Sequence, residues 1–434
     1  MKIKFKIDFA GAFYLEYKKS MKKVVIIGGG ISGMCSAYYL VKEGHTVTIL
    51  DQSDMTTGTS FINAGYLTPS HFIPLAAPGI ITQGIKWMFN SASPFYIKPR
   101  LDLDFFKWAW LFKQSATKSN VEKSIPVLKE LNLKSQILFE EMLATLDFNF
   151  HYEKKGVLMA YSNAKSEEEE NKVAHRALKE GLDVTLLNKE ELHKIQPVLS
   201  DKVIGAVHYK CDSHMTPNHF MATLKTWLEN NQVRFRTYQE VEDFTVKNNK
   251  IISVKTNHIN FEADEFVLAS GSWTSKLASK LKLNVPIQGG KGYSMDVYRP
   301  TGITIPTILL EAKAAITPMD GFTRFAGTME FSGNNTLIRK ERVEALANAA
   351  SKYYRDFEIS EKERASATSG LRPVSPDGVP FIGKTSKYSN LTIAAGHAMM
   401  GWSLGPITGK LVTELVENKK ASVNLVPLSP ERFK

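Results

Sequence analysis

Residues Val24–Gly33 run Val-Val-Ile-Ile-Gly-Gly-Gly-Ile-Ser-Gly, and this stretch constrains the fold more than any other. Four apolar residues predict a buried strand. Gly28, Gly30 and Gly33 then fill the spacing G-x-G-x-x-G. In that pattern the first glycine makes the tight turn, the second lets a pyrophosphate approach the backbone, and the third lets a helix pack close to the strand. A helix over Ile31–Glu43 would point its first amide N–H groups at the phosphates. Gly44-His45 ends it, and Thr46–Leu50 reads as a second strand. Asp51 closes that strand 18 residues after Gly33, where a carboxylate can bond ribose hydroxyls. The pattern therefore predicts a Rossmann-like βαβ unit that binds a dinucleotide. Residues 24–41 carry no charge and match a membrane span in length. The consecutive glycines and the immediate βαβ continuation argue for strand, turn and helix instead.

A chain of 434 residues is long enough for two domains. Its net charge of +11 is spread along the chain, and the densest charged block, Glu167–Glu170, is acidic. Nucleic-acid binding calls for basic residues clustered with aromatics on one face, and no such stripe exists, so no nucleic-acid partner is expected. Diffuse attraction to an anionic membrane surface is compatible with this charge. The two cysteines, Cys35 and Cys211, form no disulfide framework, which fits a reducing cytoplasm. Cys35 falls inside the first helix as core packing. Cys211 stands beside Asp212 and His214 without a second ligand cluster, so no metal site is expected. Residues 1–20 read as an extension upstream of a start at Met21, or as a short ordered arm. Asp8 and Glu16 interrupt their apolar part, which is unlike a signal peptide.

Thr56–Pro69 is a loop of small and polar residues, suited to close approach of a flat ring. Residues 80–115 are aromatic-rich and read as helical, and 121–147 and 165–181 carry helical periodicity. Pro217–Asn230 reads as a helix. Val233–Arg236 follows as a strand, and Val241–Val246 and Ile251–Thr256 form strands around an Asn248-Asn249 turn. Phe261–Gly271 holds a buried strand ending in a small-residue turn. Several short strands are expected over 286–340 and one charged helix over 341–367. Leu391–Pro406 repeats the strand and glycine turn, followed by a helix to about Asn418. Its positive N-terminus suits an anionic or electron-rich cofactor edge, and Pro406 fits the first helical turn.

These residues together resemble the D-amino acid oxidase/glycine oxidase superfamily of FAD enzymes, and most closely its bacterial D-amino acid dehydrogenases. The resemblance runs from about Lys22 to the C-terminus. It rests on Gly28–Asp51, on Gly58-Thr-Ser-Phe-Ile-Asn-Ala-Gly65 with Ala76-Ala-Pro-Gly79 and Ile85-Lys-Trp87, and on Gly292-Tyr-Ser. Its last element is Gly370-Leu-Arg-Pro-Val-Ser-Pro-Asp-Gly378 with Gly396-His397 and Gly401-Trp402. It implies an α/β fold with a discontinuous FAD domain (21–100, 185–285 and 368–434) and an antiparallel-sheet substrate domain (101–184 and 286–367). It also implies oxidative deamination. A hydride passes from the substrate α-carbon to flavin N5, and the imino acid hydrolyses to a 2-oxo acid and ammonia. A cyclic secondary amine such as D-proline or a D-hydroxyproline would give a cyclic imine.

The cofactor set that the resemblance implies takes Gly28, Gly30, Ile31, Ser32 and Gly33 from the first turn, and Asp51 and Gln52 after the second strand. Ser60, Asn63, Ala64 and Gly65 come from the small-residue loop. Val241, Ser270 and Gly271 come from the central segment, and Gly401, Trp402 and Ser403 from the last turn. Arg372 matches the carboxylate-binding arginine, a role that a bidentate guanidinium fills well. His397 either touches substrate or braces its loop, and Tyr293 completes the catalytic set. Related oxidases add a tyrosine where this chain reads Ala312-Lys-Ala-Ala-Ile-Thr317. Tyr66, His71 or Tyr293 would then partner Arg372. No cysteine lies near Arg372–Gly378, so the FAD is expected to be non-covalent. The subgroup implies a quinone or other respiratory carrier as acceptor, at the inner face of the membrane. The alternative is a glycine/sarcosine-type oxidase that uses oxygen.

Overall fold

The computed structural model describes residues 3–7, 13–17, 21–79, 95–145 and 148–433. The quoted Ile85-Lys-Trp87 and the expected helix over 80–94 lie outside them. Ile3–Ile7 and Phe13–Tyr17 pair as an antiparallel hairpin.

Two sheets dominate. The first has six strands in the order Arg234–Arg236, Thr46–Leu50, Lys23–Ile27, Glu265–Leu268, Leu391–Ala395 and Phe381–Lys384. Its pairs are parallel except the last, which is antiparallel. The apolar run after Lys23 is unbroken because both faces of this strand are covered. Val24 and Ile26 pack with Ile31, Met34 and Leu40 of the helix Ile31–Lys42 and with Phe220 and Leu224 of the helix Pro217–Asn230. Val25 and Ile27 point the other way, toward Ile251, Val254 and Leu277. Ile251 and Val254 belong to a hairpin of Val241–Lys247 and Lys250–Thr256. Its turn residues Asn248 and Asn249 sit at φ 49° and 56°, a left-handed pair that asparagine tolerates.

The second sheet has nine strands. Along its main path lie Thr368–Val374, Gln288–Val297, Phe322–Phe331, Ala314–Met319, Thr307–Leu309, Val157–Tyr161, Gly205–Tyr209 and Val184–Asn188, while Phe95–Ile97 pairs with Phe322–Phe331. Most pairs are antiparallel, as the resemblance implied. The pairing nonetheless crosses the expected segment boundaries. Phe95–Ile97, Gly205–Tyr209 and Thr368–Val374, which the expected division put with the cofactor segments, join this sheet, as does Val184–Asn188, which straddles the expected boundary at 184/185. Such pairing is non-local, and no local pattern in these strands states which sheet they enter.

Three further expectations differ from the structure. Residues 286–340 contain two ten-residue strands, Gln288–Val297 and Phe322–Phe331, beside the short ones. The charged helix over 341–367 is two helices, Lys340–Tyr353 and Glu361–Ala365. Tyr354 is extended, and Ser360 and Glu363 form a capping box that starts the second helix, because each satisfies a backbone or side-chain donor of the other. Within 80–115 the described part is a strand at Phe95–Ile97 and a helix at Leu103–Ser115.

Candidate active site

The first glycine turn sits where the sequence places it. Gly28 has φ +109°, and a Cβ there would lie 2.4 Å from the carbonyl oxygen of Ala269. A Cβ on Gly33 would lie 1.9 Å from the carbonyl oxygen of Gly28. Gly33 therefore acts through helix-to-strand packing and does not line the cleft. Asp51 holds the turn from the second strand. Its Oδ2 accepts the Gly29 N–H at 2.8 Å, and its Oδ1 accepts from the Ser53 N–H and hydroxyl at 2.8 and 2.7 Å. A carboxylate has about four acceptor positions, so these bonds leave capacity for a ligand hydroxyl.

The small-residue loop closes over the turn. The Ile31 N–H donates to Ser60 Oγ at 3.0 Å, which satisfies one of the N–H groups at the helix start. Arg324 pins the loop to the second sheet. It donates to the carbonyls of Phe61 and Asn63, each at 2.9 Å, while its fork clasps Asp296 at 2.7 and 2.8 Å. The Thr59 hydroxyl links the loop to Leu371, one residue before Arg372. Ala64, Gly65 and Ser403 lie behind the cleft wall. The Ala64 carbonyl accepts from the Thr317 hydroxyl, a Cβ on Gly65 would meet Met215, and Ser403 Oγ donates to the Tyr66 carbonyl.

A cleft of about 350 Å³ joins the two glycine turns. Gly28, Gly30, Ile31, Ser32, Asp51, Gln52 and Val241 line one region, with Ser270 and Gly271. Ser60 and Asn63 line it from the loop, and Arg372, His397, Gly401 and Trp402 line it from the C-terminal segments. Met55, Glu240, Lys276, Leu371, Pro373 and Met399 also line it. The sequence reading missed these residues. Leu371 and Pro373 flank Arg372 in its motif, whereas Met55, Glu240, Lys276 and Met399 reach the wall only through the fold. The Trp402 side chain is buried, and its Nε1 has no hydrogen-bond partner among the described residues.

Arg372 is half-buried. Its one hydrogen bond to the protein among the described residues runs from its guanidinium to the Thr328 carbonyl at 3.0 Å, and no carboxylate pairs with it there. Burial lowers its pKa to about 10, as expected for a cation taken from water without a counter-charge. His397 is buried, and burial holds its pKa down at about 4, so the ring is neutral. Its Nε2 shares a hydrogen bond with Thr408 Oγ1 at 2.9 Å.

The structure does not bring Tyr293 to the cleft. Its hydroxyl donates to Glu330 Oε2 at 2.8 Å, inside a buried group with Lys291 and Arg342. Nor do the suggested partners of Arg372 reach it. The Tyr66 hydroxyl donates to the Ile316 carbonyl at 3.0 Å, and His71 pairs with Ser70 Oγ at 3.1 Å.

A cleft that begins at a Rossmann-type phosphate turn and ends at a second glycine turn beside a neutral histidine is the arrangement of a flavin-dependent oxidoreductase. The chain belongs to that family, since the family described as FAD dependent oxidoreductase matches residues 23–415. Over 418 residues it is 31% identical to a D-amino acid dehydrogenase of Neisseria meningitidis serogroup C, covering 95% of this chain and 99% of the relative. It is also 31% identical to a D-amino acid dehydrogenase of Helicobacter pylori, covering 92% and 95%. In fold it resembles glycine oxidase from Geobacillus kaustophilus, with a TM-score of 0.76 at 22% identity over 95% of this chain and 99% of that one. The residues present fit FAD. The glycine turn leaves a cradle that a Cβ would fill, and Trp402 Nε1 is a buried donor on the wall without an acceptor among the described residues.

Proposed function

We propose that this chain oxidises a D-amino acid through non-covalent FAD and passes the electrons to a quinone or similar carrier. The observation that carries the reading is Arg372, a half-buried guanidinium on the cleft wall with no carboxylate partner among the described residues. Bound FAD supplies the hydride acceptor. The protein's part is then to bind, orient and exclude water. Arg372 fixes the substrate carboxylate with the N–H groups that Thr328 does not use, which sets the α-carbon in one orientation. His397 braces the second turn through Thr408 and stays neutral. The substrate amine enters unprotonated, so no protein base is required. Gly28, Gly30, Ile31 and Ser32 hold the phosphates, and Asp51 accepts from the ribose. The six-stranded sheet serves as the cofactor domain and the nine-stranded sheet as the substrate domain. The proposed substrates include D-proline and D-hydroxyproline, cyclic secondary amines, among other D-amino acids.

No helix among the described residues is long and apolar enough to cross a membrane. The helix Leu103–Ser115 exposes Phe106 and Trp110 at 52% and 58%, beside Lys107 and Lys113. That combination supports peripheral contact with an anionic lipid surface, close to a lipid-borne acceptor.

The test is anaerobic bleaching of the bound flavin by D- and L-amino acids, glycine, sarcosine, and the stereoisomers of proline and hydroxyproline. Bleaching by D-enantiomers with slow reoxidation in air is the expected result. Bleaching by glycine or sarcosine alone, with peroxide formed as fast as a dye is reduced, would replace this reading with an oxidase.

A further inference from the structure

A separate cluster lies on a small antiparallel sheet that orders the strands Tyr66–Leu67, Ser213–Met215 and Tyr152–Glu153. His214 and Glu153 are register partners across two of them. His151 stands two residues before Glu153, the spacing that returns a side chain to the same face of a strand. One ligating atom from each of His151, Glu153 and His214 falls within 4.8 Å of the others. His214 Nε2 lies 3.4 Å from one carboxylate oxygen of Glu153, and His151 Nε2 lies 3.7 Å from the other. Ligands about 2.0–2.1 Å from a tetrahedral zinc stand roughly 3.4 Å apart, so each histidine's contact with Glu153 is near that spacing, and a small side-chain adjustment would close the rest of the set, now within 4.8 Å.

Two further observations point to a ligand. His214 is fully buried, yet among the described residues neither ring nitrogen makes a hydrogen bond of ordinary geometry, and Nε2 faces Glu153 at 3.4 Å. Buried polar atoms are seldom left this way. His151 Nδ1 shares a hydrogen bond with Thr216 Oγ1 at 2.9 Å, and that hydroxyl oxygen also accepts the Asp320 N–H at 2.9 Å. A proton on Nδ1 satisfies this bond and leaves the Nε2 lone pair facing the carboxylate, as outer partners of metal-bound imidazoles do. The side chains of His151 and Glu153 are 19% and 33% exposed, which leaves an entry path and room for water. Lys155 now pairs with Glu153 at 2.8 Å, and its half-exposed ammonium can turn into solvent.

We propose that His151, Glu153 and His214 form a site for a divalent transition cation of the zinc class, with water as the fourth ligand. Such an ion ties Tyr152–Glu153 to Ser213–Met215, whose other neighbour, Tyr66–Leu67, continues from the loop over the cleft. The sequence expectation of no metal weighed Cys211 with Asp212 and His214, and of these only His214 joins the cluster. Cys211 and Asp212 face elsewhere, since Asp212 is bonded to Ser70 and Cys211 to Asp212.

The flavin-loaded protein, stripped with a chelator, incubated with zinc and desalted, should retain about one zinc per chain. His151→Ala and Glu153→Gln, at partly exposed positions, should each weaken retention at least about tenfold. The distant exposed variant His175→Ala should retain zinc normally. Cobalt in place of zinc should give the visible absorption of a four-coordinate ion. No zinc on the unaltered protein would overturn the proposal, and so would equal retention by the His151→Ala/Glu153→Gln double variant, which would leave an ordinary ion pair. Neither result bears on the flavin site.

Discussion

At the scale of single residues, the cleft separates groups that work from groups that only hold. Among the described residues Arg372 has one hydrogen-bond partner, a backbone carbonyl, and on the proposed reading its remaining donors take the substrate carboxylate. Arg372→Ala should leave flavin content unchanged and raise the substrate KM roughly a hundredfold, because a charge-assisted pair contributes on the order of 2–3 kcal/mol. Unchanged kinetics in that variant would remove Arg372 from the substrate site. Tyr293 is the contrasting case. Its family motif made it a candidate, but its hydroxyl is bonded to Glu330 beside Lys291 and Arg342. Tyr293→Phe should therefore cost about 1–2 kcal/mol of stability in urea unfolding while KM stays put. A large KM change without loss of stability would restore it to the site. The sequence named Arg372 as the carboxylate-binding residue and Tyr293 as a weaker candidate. It could not say which way either side chain points.

At the scale of elements, the two glycine turns depend on one helix–helix contact. The helix Gly405–Val416 packs on Ile31–Lys42 so closely that a Cβ at Gly409 would lie 2.4 Å from the Cys35 backbone. This contact sets the second helix start against the first. Gly409→Leu should destabilise the protein by about 1–3 kcal/mol or more through overpacking, and flavin should wash out on desalting. Normal flavin retention and an unchanged melting temperature would show that the helices can part without harm. The elements themselves were largely legible in the chain. The strand Thr46–Leu50 and the helix Pro217–Asn230 have the expected bounds, because apolar period, proline at the helix start and asparagine at its end act locally. The helix break after Tyr353 went unread, because continuous charge along 341–367 outweighed the Ser360 and Glu363 cap that starts the second helix.

At the scale of the whole molecule, burial decides how the protein answers to acid. His397 ordinarily titrates at 6.5 but is held near 4 in the folded chain by burial. The unfolded chain therefore takes up this proton first as pH falls. The stabilising contribution is complete above pH 6.5 and is lost between 6.5 and about 4. Unfolding midpoints should decline across that window. Burial holds His71 and His214 near 4 as well, and raises Asp212 to about 7, which opposes them. His397→Gln, which cannot titrate, should therefore make the decline shallower without abolishing it, and an identical slope in the variant would locate the proton uptake elsewhere. Sequence by itself determined the βαβ start, the acid at Asp51, the second glycine turn and the family, because each depends on residues near one another in the chain. Only the tertiary structure decided that Phe95–Ile97, Val184–Asn188 and Gly205–Tyr209 enter the second sheet, that Arg324 pins the loop, and that His151, Glu153 and His214 meet. Those contacts join residues far apart in the chain, and their free energy comes from burial and pairing that exist only once the two sheets have formed.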